Sequence, residues 1–213
     1  MPVGDVTPRE ALDQGVAQLA LPLSAEARDK LMAYLGLLMK WNRTYNLTAV
    51  RDPLQAVSTH LLDSLAVVKP LAEHKGTLAD VGSGGGLPGI ALAIADPARE
   101  VTLNDVNEKK AAFLRQATIE LGLRNARVHV GRVEAWQPAE RFAVVIARGF
   151  ASLAQFIQLC RHLVVPAGLL AAMKGVHPAA ELEAVPEGCD CGRVLPLHVP
   201  YLGAERHLVL CKV

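Results

Sequence analysis

Asp80-Val81-Gly82-Ser83-Gly84-Gly85-Gly86-Leu87-Pro88-Gly89 joins a short apolar run, Thr77 to Val81, to an apolar segment of helical length, Pro88 to Ala95. Strand, glycine turn and helix in that order open a right-handed crossover. The glycines let the backbone take positive φ and approach a ligand with no Cβ in the way. Pro88 fits the first turn of a helix, where its missing N–H costs nothing. In an open α/β sheet the carboxyl end of the first strand is also where a ligand crevice can form. Some glycine-rich turns serve only close packing of strand against helix. Here five glycines in residues 82–89 follow a strand-end acid, which favours ligand binding.

Downstream, short apolar runs alternate with longer amphipathic ones. Glu100 to Leu103, Ala126 to Val130, Phe142 to Ala147 and Gly168 to Met173 read as strands, and Glu108 to Leu121 and Ser152 to His162 as helices. This alternation predicts a mainly parallel sheet covered on both faces. After Pro186, Gly192 to Val199 and His207 to Val213 have no helix-length segment between them, so they should pair as an antiparallel hairpin. Upstream, Leu31, Leu35, Leu38 and Met39 share one helical face, with Ser24 at the start and Asn42 to Asn46 at the end. A second helical stretch runs through Thr59 to Val68 and stops before Pro70. The expected fold is thus α/β, a seven-stranded, mostly parallel Rossmann-like sheet in residues 77–213 behind a helical cap in residues 1–76.

The 213 residues suffice for one sizeable core and are too few for two full domains. A net charge of +1, with 20% charged and 51% hydrophobic residues, excludes a disordered chain and a protein that coats nucleic acid by bulk charge. The longest uncharged stretch, Val81 to Ala95, is interrupted by Gly and Pro and does not read as a membrane span. Met1 to Asp5 lack the basic and apolar regions of a signal peptide, so a cytoplasmic location is expected. In that setting Cys160, Cys189, Cys191 and Cys211 are expected as reduced thiols.

Two ligands fit the loop. Gly84, Gly86 and Gly89 satisfy the dinucleotide spacing, which keeps a nicotinamide-dependent oxidoreductase open. Asp80, Gly82, Gly84 and Gly86 alternate in the manner of loops that hold S-adenosylmethionine, with the strand-end carboxylate facing the cationic amino group of the methionine moiety. Asp105, at the end of the second strand, supplies an acceptor pair for ribose hydroxyls in either reading.

Taken with Trp41-Asn42, Asn46-Leu47-Thr48, His60-Leu61-Leu62-Asp63-Ser64-Leu65, Arg148-Gly149-Phe150-Ala151, Met173-Lys174-Gly175 and Glu205-Arg206-His207-Leu208-Val209, the loop resembles the RsmG (GidB) family. The resemblance covers nearly the whole chain in order. It implies a class I methyltransferase that transfers a methyl group from S-adenosylmethionine to guanine N7 in small-subunit ribosomal RNA. It assigns Gly82 and Leu87 to the cofactor loop, Val133 and Glu134 to the adenine end, and Arg148 to the edge of the cofactor and substrate pocket. Asn104 and Val106 depart from the Leu-Asp-Ser run common in that family; Asp105 between them is in place.

Guanine N7 carries a free lone pair, so the chemistry needs placement and no general base. In keeping with this, Ala147-Arg148-Gly149-Phe150 lacks both the Asn/Asp-Pro-Pro-aromatic motif of exocyclic-amine enzymes and the cysteine of pyrimidine C5 enzymes. Arg148 is a candidate to fork onto guanine or phosphate, against the alternative of a strand-end arginine paired with an acid. Lys174 is a candidate for RNA backbone contact, against that of an ordinary strand-end lysine. No metal site is expected: Cys189-Asp190-Cys191 has the wrong spacing for zinc. His60, Asp63 and Ser64 are expected as capping or packing groups, and Trp41 and Tyr45 as core. Residues 99–148 carry nine basic and six acidic groups, and Arg124, Arg127, Arg132, Arg141 and Arg148 are expected as a patch on the crevice side. So modest a patch suits RNA recognised by shape within the assembled or partly assembled small subunit. A non-catalytic RNA-binding module is the remaining alternative.

Overall fold

The computed structural model describes residues 6–150 and 152–213; the Met1 to Asp5 start and Ala151 of the quoted Arg148–Ala151 run lie outside the described residues. Two long helices come first. Thr7 caps α1 (Pro8–Gln18) through a reciprocal capping box with Glu10, and Ser24 caps α2 (Ala25–Tyr45) by accepting from the Ala27 N–H at 3.1 Å. Asn46 ends α2 in the left-handed conformation, φ +50°. α2 buries Leu31, Tyr34, Leu35 and Leu38, a spacing of three and four. Each such side chain contributes roughly 1.5–3 kcal/mol when fully buried. Met39, expected on this face, is only partly buried.

The next helical stretch starts earlier than expected, at α3 (Pro53–Ala56) under an Asp52 cap. It widens into a π-helical turn, Val57–Leu62, before α4 (Asp63–Leu65). A π turn leaves no mark on apolar periodicity, which is why the sequence shows only a helix here.

Seven strands follow: β1 (Leu78–Val81), β2 (Val101–Asp105), β3 (Ala126–Val130), β4 (Phe142–Arg148), β5 (Val164–Lys174), β6 (Asp190–Pro196) and β7 (His207–Lys212). Among the described residues they form one sheet in the order β3-β2-β1-β4-β5-β7-β6. β1 to β5 are parallel, while β7 runs antiparallel to both β5 and β6. The expected hairpin is present, with β7 set inside the sheet. The crossovers carry α5 (Gly89–Ala95), α6 (Glu108–Glu120), α7 (Leu153–Cys160) and the short α8 (Ala179–Glu183), the last unforeseen in the sequence.

Alternate strand residues face opposite ways. Leu78, Leu103, Val144, Ile146 and Leu210 pack in one core with α1, α2, α5 and α6. Ala79, Val81, Val145, Leu170 and Val209 pack in the other with α7. The cap helices therefore share a core with the sheet. Trp41, partly buried against this core, meets Phe113 of α6 edge-on at 5.6 Å, as expected, whereas Tyr45, also expected in the core, is exposed at the end of α2.

The cysteines correct the sequence reading. Cys191 of β6 and Cys211 of β7 form a disulfide, Cα to Cα 4.0 Å, and Cys160 and Cys189 are free. The bulge between Asp190 and Arg193 brings Cys191 beside its antiparallel neighbour, a proximity that compartment arguments cannot anticipate.

Candidate active site

The strand order reverses between β1 and β4, so the crossovers leaving them part and open a crevice at their carboxyl ends. The glycine loop lines it, and its glycines divide into two kinds. A Cβ on Gly86 would lie 2.4 Å from Ile90, and one on Gly89 would lie 2.3 Å from Leu103 and 2.7 Å from Asp80. These two glycines serve packing. Gly82 and Gly84 have φ +68° and +58°, and among the described residues a Cβ at Gly82 would meet nothing within 4 Å. At Gly84 it would meet only the Gly82 carbonyl, at 3.9 Å. A glycine with positive φ and open space in front leaves a cradle for a ligand. From the cap, the fully buried Tyr34 hydroxyl donates to the Gly85 carbonyl and holds the loop from behind.

Asp80 is fully buried. Its Oδ2 accepts from the Gly89 N–H at 2.9 Å, and among the described residues its Oδ1 has no partner. Burial pushes this carboxyl up to about 6, although the Gly89 N–H pulls the other way. A buried carboxylate with one oxygen unused is suited to a cation. Asp105, also buried, accepts from the Gly84 N–H through Oδ2 and the Asn107 N–H through Oδ1, each at 2.9 Å. It thus ties the end of β2 to the glycine loop. Val133 and Glu134 stand in a 3₁₀ turn (Val133–Ala135) just beyond β3, where Glu134 pairs with Arg132 at 2.7 Å. Leu87 is buried at the far end of the loop. Asp80, Gly82, Gly84, Leu87, Asp105, Val133 and Glu134 all belong to the carboxyl ends of β1, β2 and β3 or to the turns that follow.

On the other side of β1, Arg148 ends β4. One guanidinium nitrogen donates both to the Thr59 carbonyl and to Asp63 Oδ2, each at 3.0 Å. Asp63 Oδ1 accepts from Arg206 Nε, also at 3.0 Å. One carboxylate, 2% exposed, thus holds two guanidiniums whose side chains are 25% and 24% exposed, which leaves an excess positive charge toward the opening. The π turn delivers Thr59 and His60 to this place, and α4 delivers Asp63. His60 Nε2 meets Thr48 Oγ1 at 2.8 Å. Burial, with Arg148 beside it, lowers His60 to about 4 and keeps the ring neutral. Thr59, His60, Arg148, Phe150, Met173 and Arg206 line a cavity of about 440 Å³. A larger cavity of about 600 Å³ under α1 adjoins it at Thr59, and Asp52 is the one charged side chain in its described lining.

Lys174 also borders the smaller cavity but is 12% exposed. Its Nζ contacts both oxygens of Glu181 in α8, at 3.0 and 2.7 Å. Glu181 in turn accepts from the Leu153 N–H at the start of α7. The lysine is thereby engaged within the protein. The expected arginine patch is divided. Arg124 and Arg141 precede β3 and β4, and Arg127 lies early in β3, so all three sit toward the amino ends of parallel strands. Only Arg132 and Arg148 reach the crevice end. His60, Asp63 and Ser64 make no triad, since Ser64 Oγ donates to the His60 carbonyl at 2.6 Å and Asp63 binds arginines. The sequence reading gave Arg206 no role and expected Asp63 only as a capping or packing group, whereas Asp63 binds both arginines. Tyr34 is the third residue missed, and its apolar helical surroundings give no sign of it.

Comparison with known proteins places these features. The family described as GidB, rRNA small subunit methyltransferase G, matches residues 27–209. A ribosomal RNA small subunit methyltransferase G of Chromobacterium violaceum is 52% identical over 198 residues, covering 93% of this chain and 94% of its own. A protein of the same description from Burkholderia cenocepacia is 50% identical over 202 residues, covering 92% and 89%. In fold, the chain resembles an O-methyltransferase from Bacillus cereus solved in complex with SAH. The TM-score is 0.60 at 17% identity, covering 95% of this chain and 97% of that one.

Proposed function

The chain belongs to the rRNA small subunit methyltransferase G family, and from that premise we propose how its crevice transfers a methyl group to N7 of a guanine. It is an S-adenosylmethionine-dependent methyltransferase of small-subunit ribosomal RNA. The match across residues 27–209, which spans cap, glycine loop and both arginines, carries this reading. The dinucleotide alternative loses its footing, because Gly86 and Gly89 are occupied with packing.

When bound, S-adenosylmethionine supplies an electrophilic methyl group on a sulfonium. Gly82 and Gly84 would give it room, and the Asp80 carboxylate would hold its cationic amino end through Oδ1, which has no partner among the described residues. Asp105 would hold the ribose, Val133 and Glu134 the adenine end, and Leu87 would close the loop. Guanine N7 has no proton to lose, so no side chain need act as base. What the chain contributes is alignment of a lone pair behind the methyl carbon. Arg148, fixed by Thr59 and Asp63, cannot swing freely, and with Arg206 presents a rigid cationic edge to guanine O6 or a flanking phosphate.

The target base must leave its stack to enter the crevice. The cap of residues 1–76 and the sheet domain of residues 77–213 supply the recognition surface together. With the cationic edge this small, the substrate is the assembled or partly assembled small subunit in the cytoplasm. Among the described residues no helix is long and apolar enough to cross a membrane, and no group of His, Cys, Asp or Glu is arranged to hold a metal ion. Small subunits from cells lacking the modification, incubated with labelled donor and mapped by nucleotide, test the reading. Label at one guanine, absent from a short naked fragment, is the expected result. Label elsewhere than N7, or equal labelling of the fragment, contradicts it.

A further inference from the structure

We infer that Asn104 is a positioning residue for the adenosine end of the cofactor, an inference that rests on the cofactor reading above. Asn104 is the penultimate residue of β2, 2% exposed, and its side chain does what the sheet cannot. The ladder between β2 and β3 runs out at Asp105 opposite Val130. Just past that point the chain must turn at Gly131 to deliver Val133 and Glu134. Asn104 Nδ2 donates to the Gly131 carbonyl at 3.0 Å and to the His129 carbonyl at 3.4 Å. The Gly131 N–H donates to the Asp105 carbonyl at 3.2 Å. On its other side, the Asn104 carbonyl accepts from the Ser83 N–H at 2.9 Å, within the glycine loop.

Residues 104 and 105 therefore join the two loops that would hold opposite ends of one ligand. Asp105 grips the glycine loop with its side chain, and Asn104 grips the adenine-side turn with its own. Below that turn, His129 stacks on Trp136 at 4.3 Å, and within it Arg132 pairs with Glu134 at 2.7 Å. A carboxamide is suited to this place because it carries two N–H donors for two carbonyls. An aspartate of the same shape offers none at neutral pH, and its charge would face both carbonyl oxygens.

The test uses the full chain and its Asn104→Asp and Asn104→Leu variants. Titration calorimetry with S-adenosylhomocysteine and with methylthioadenosine, which keeps only the adenosine end, gives the affinities. Amide hydrogen exchange on the ligand-free protein reports the turn. Both variants should bind both ligands about tenfold more weakly, the effect of losing one to two buried hydrogen bonds. Exchange should rise in residues 131–134 with β2 and β3 unchanged, and KM for small subunits at saturating donor should stay the same. Asn104→Ser, which keeps one donor, should recover part of the loss. Unchanged affinities, or exchange raised equally across the sheet, overturn the role of Asn104 and leave the cofactor reading standing. A wild-type chain that binds neither ligand overturns both.

Discussion

Asp63 and Arg206, 143 residues apart in the chain, meet at 3.0 Å, and the second oxygen of the same carboxylate holds Arg148. Removing one partner of a buried ion pair costs roughly 3–5 kcal/mol, reduced here to about 2 kcal/mol because both arginines are partly solvated. Asp63→Asn should therefore lower the melting temperature by several degrees. It should cut methylation of small subunits at least tenfold, by the loosening of two cationic groups at once, with donor affinity unchanged. Calorimetry and a labelled-methyl assay on the same preparation check this, and unaltered turnover would contradict it.

Arg148→Lys keeps the charge and loses the geometry. A lysine cannot reproduce a planar guanidinium held between the Thr59 carbonyl and Asp63. Turnover should fall by about tenfold for Arg148→Lys and about a hundredfold for Arg148→Ala, the scale expected when a reacting group is misplaced by about 1 Å. If Arg148→Ala methylates normally, the positioning role is wrong.

Tyr34→Phe removes the donor to Gly85 and leaves that carbonyl unpaired where the cap meets the loop. The cost of an unpaired buried group is about 1–3 kcal/mol, shared between stability and the shape of the loop. The cofactor dissociation constant should rise severalfold while KM for small subunits holds, measurable by titration and initial rates.

Asp80 and His60 make pH a probe of the crevice. Burial raises Asp80 to about 6, so its neutral form is favoured in the fold. Its contribution to ligand-free stability is present below its ordinary value and is lost as pH rises from about 4 to about 6. Burial lowers His60 to about 4, so its contribution is present above its ordinary value and is lost as pH falls from about 6.5 to about 4. The two oppose each other in a melting curve. Binding separates them, because His60 stays neutral near pH 6 while Asp80 must ionise to accept a cation. Cofactor affinity should fall as pH drops through about 6. In Asp80→Asn it should be weaker and flat across that range, as titration over about pH 5 to 8 would show.

Lys174→Ala and Glu181→Ala should each destabilise the protein, and a double-mutant cycle on melting data should show coupling of about 1 kcal/mol or more. KM for small subunits should change less than twofold in Lys174→Ala at a temperature where the variant is folded. A large rise in KM would restore the lysine to RNA contact.

What the sequence made legible is what lies close along it. The glycine loop, the Ser24 and Asn46 ends of α2, and the β6–β7 hairpin are each written within a few residues of each other, by turn chemistry or connection length. The Asp63 clasp and the Tyr34 brace are long-range pairings of residues whose own neighbourhoods look ordinary. The arginines illustrate a different loss. Counting them between residues 99 and 148 gave an excess of charge, yet whether an arginine precedes or follows its strand decides which end of a parallel sheet it occupies. Arg141 and Arg148 are seven residues apart and lie at opposite ends of β4.

β7 is made after β6 but is, among the described residues, β6's sole neighbour in the sheet, and it lies between β6 and β5. During synthesis, β6 thus has no ladder to join until residues 207–212 exist, and β5 keeps an open edge for the same interval. Arg206 sits immediately before β7, so the cationic edge assembles only when the sheet closes. The glycine loop is made well before this, so on the roles proposed here the residues for the donor would be in place before the cationic edge for the acceptor. Chains interrupted ahead of β7 would carry one unpaired strand, β6, and one open edge, on β5, and should be cleared as aggregation-prone species.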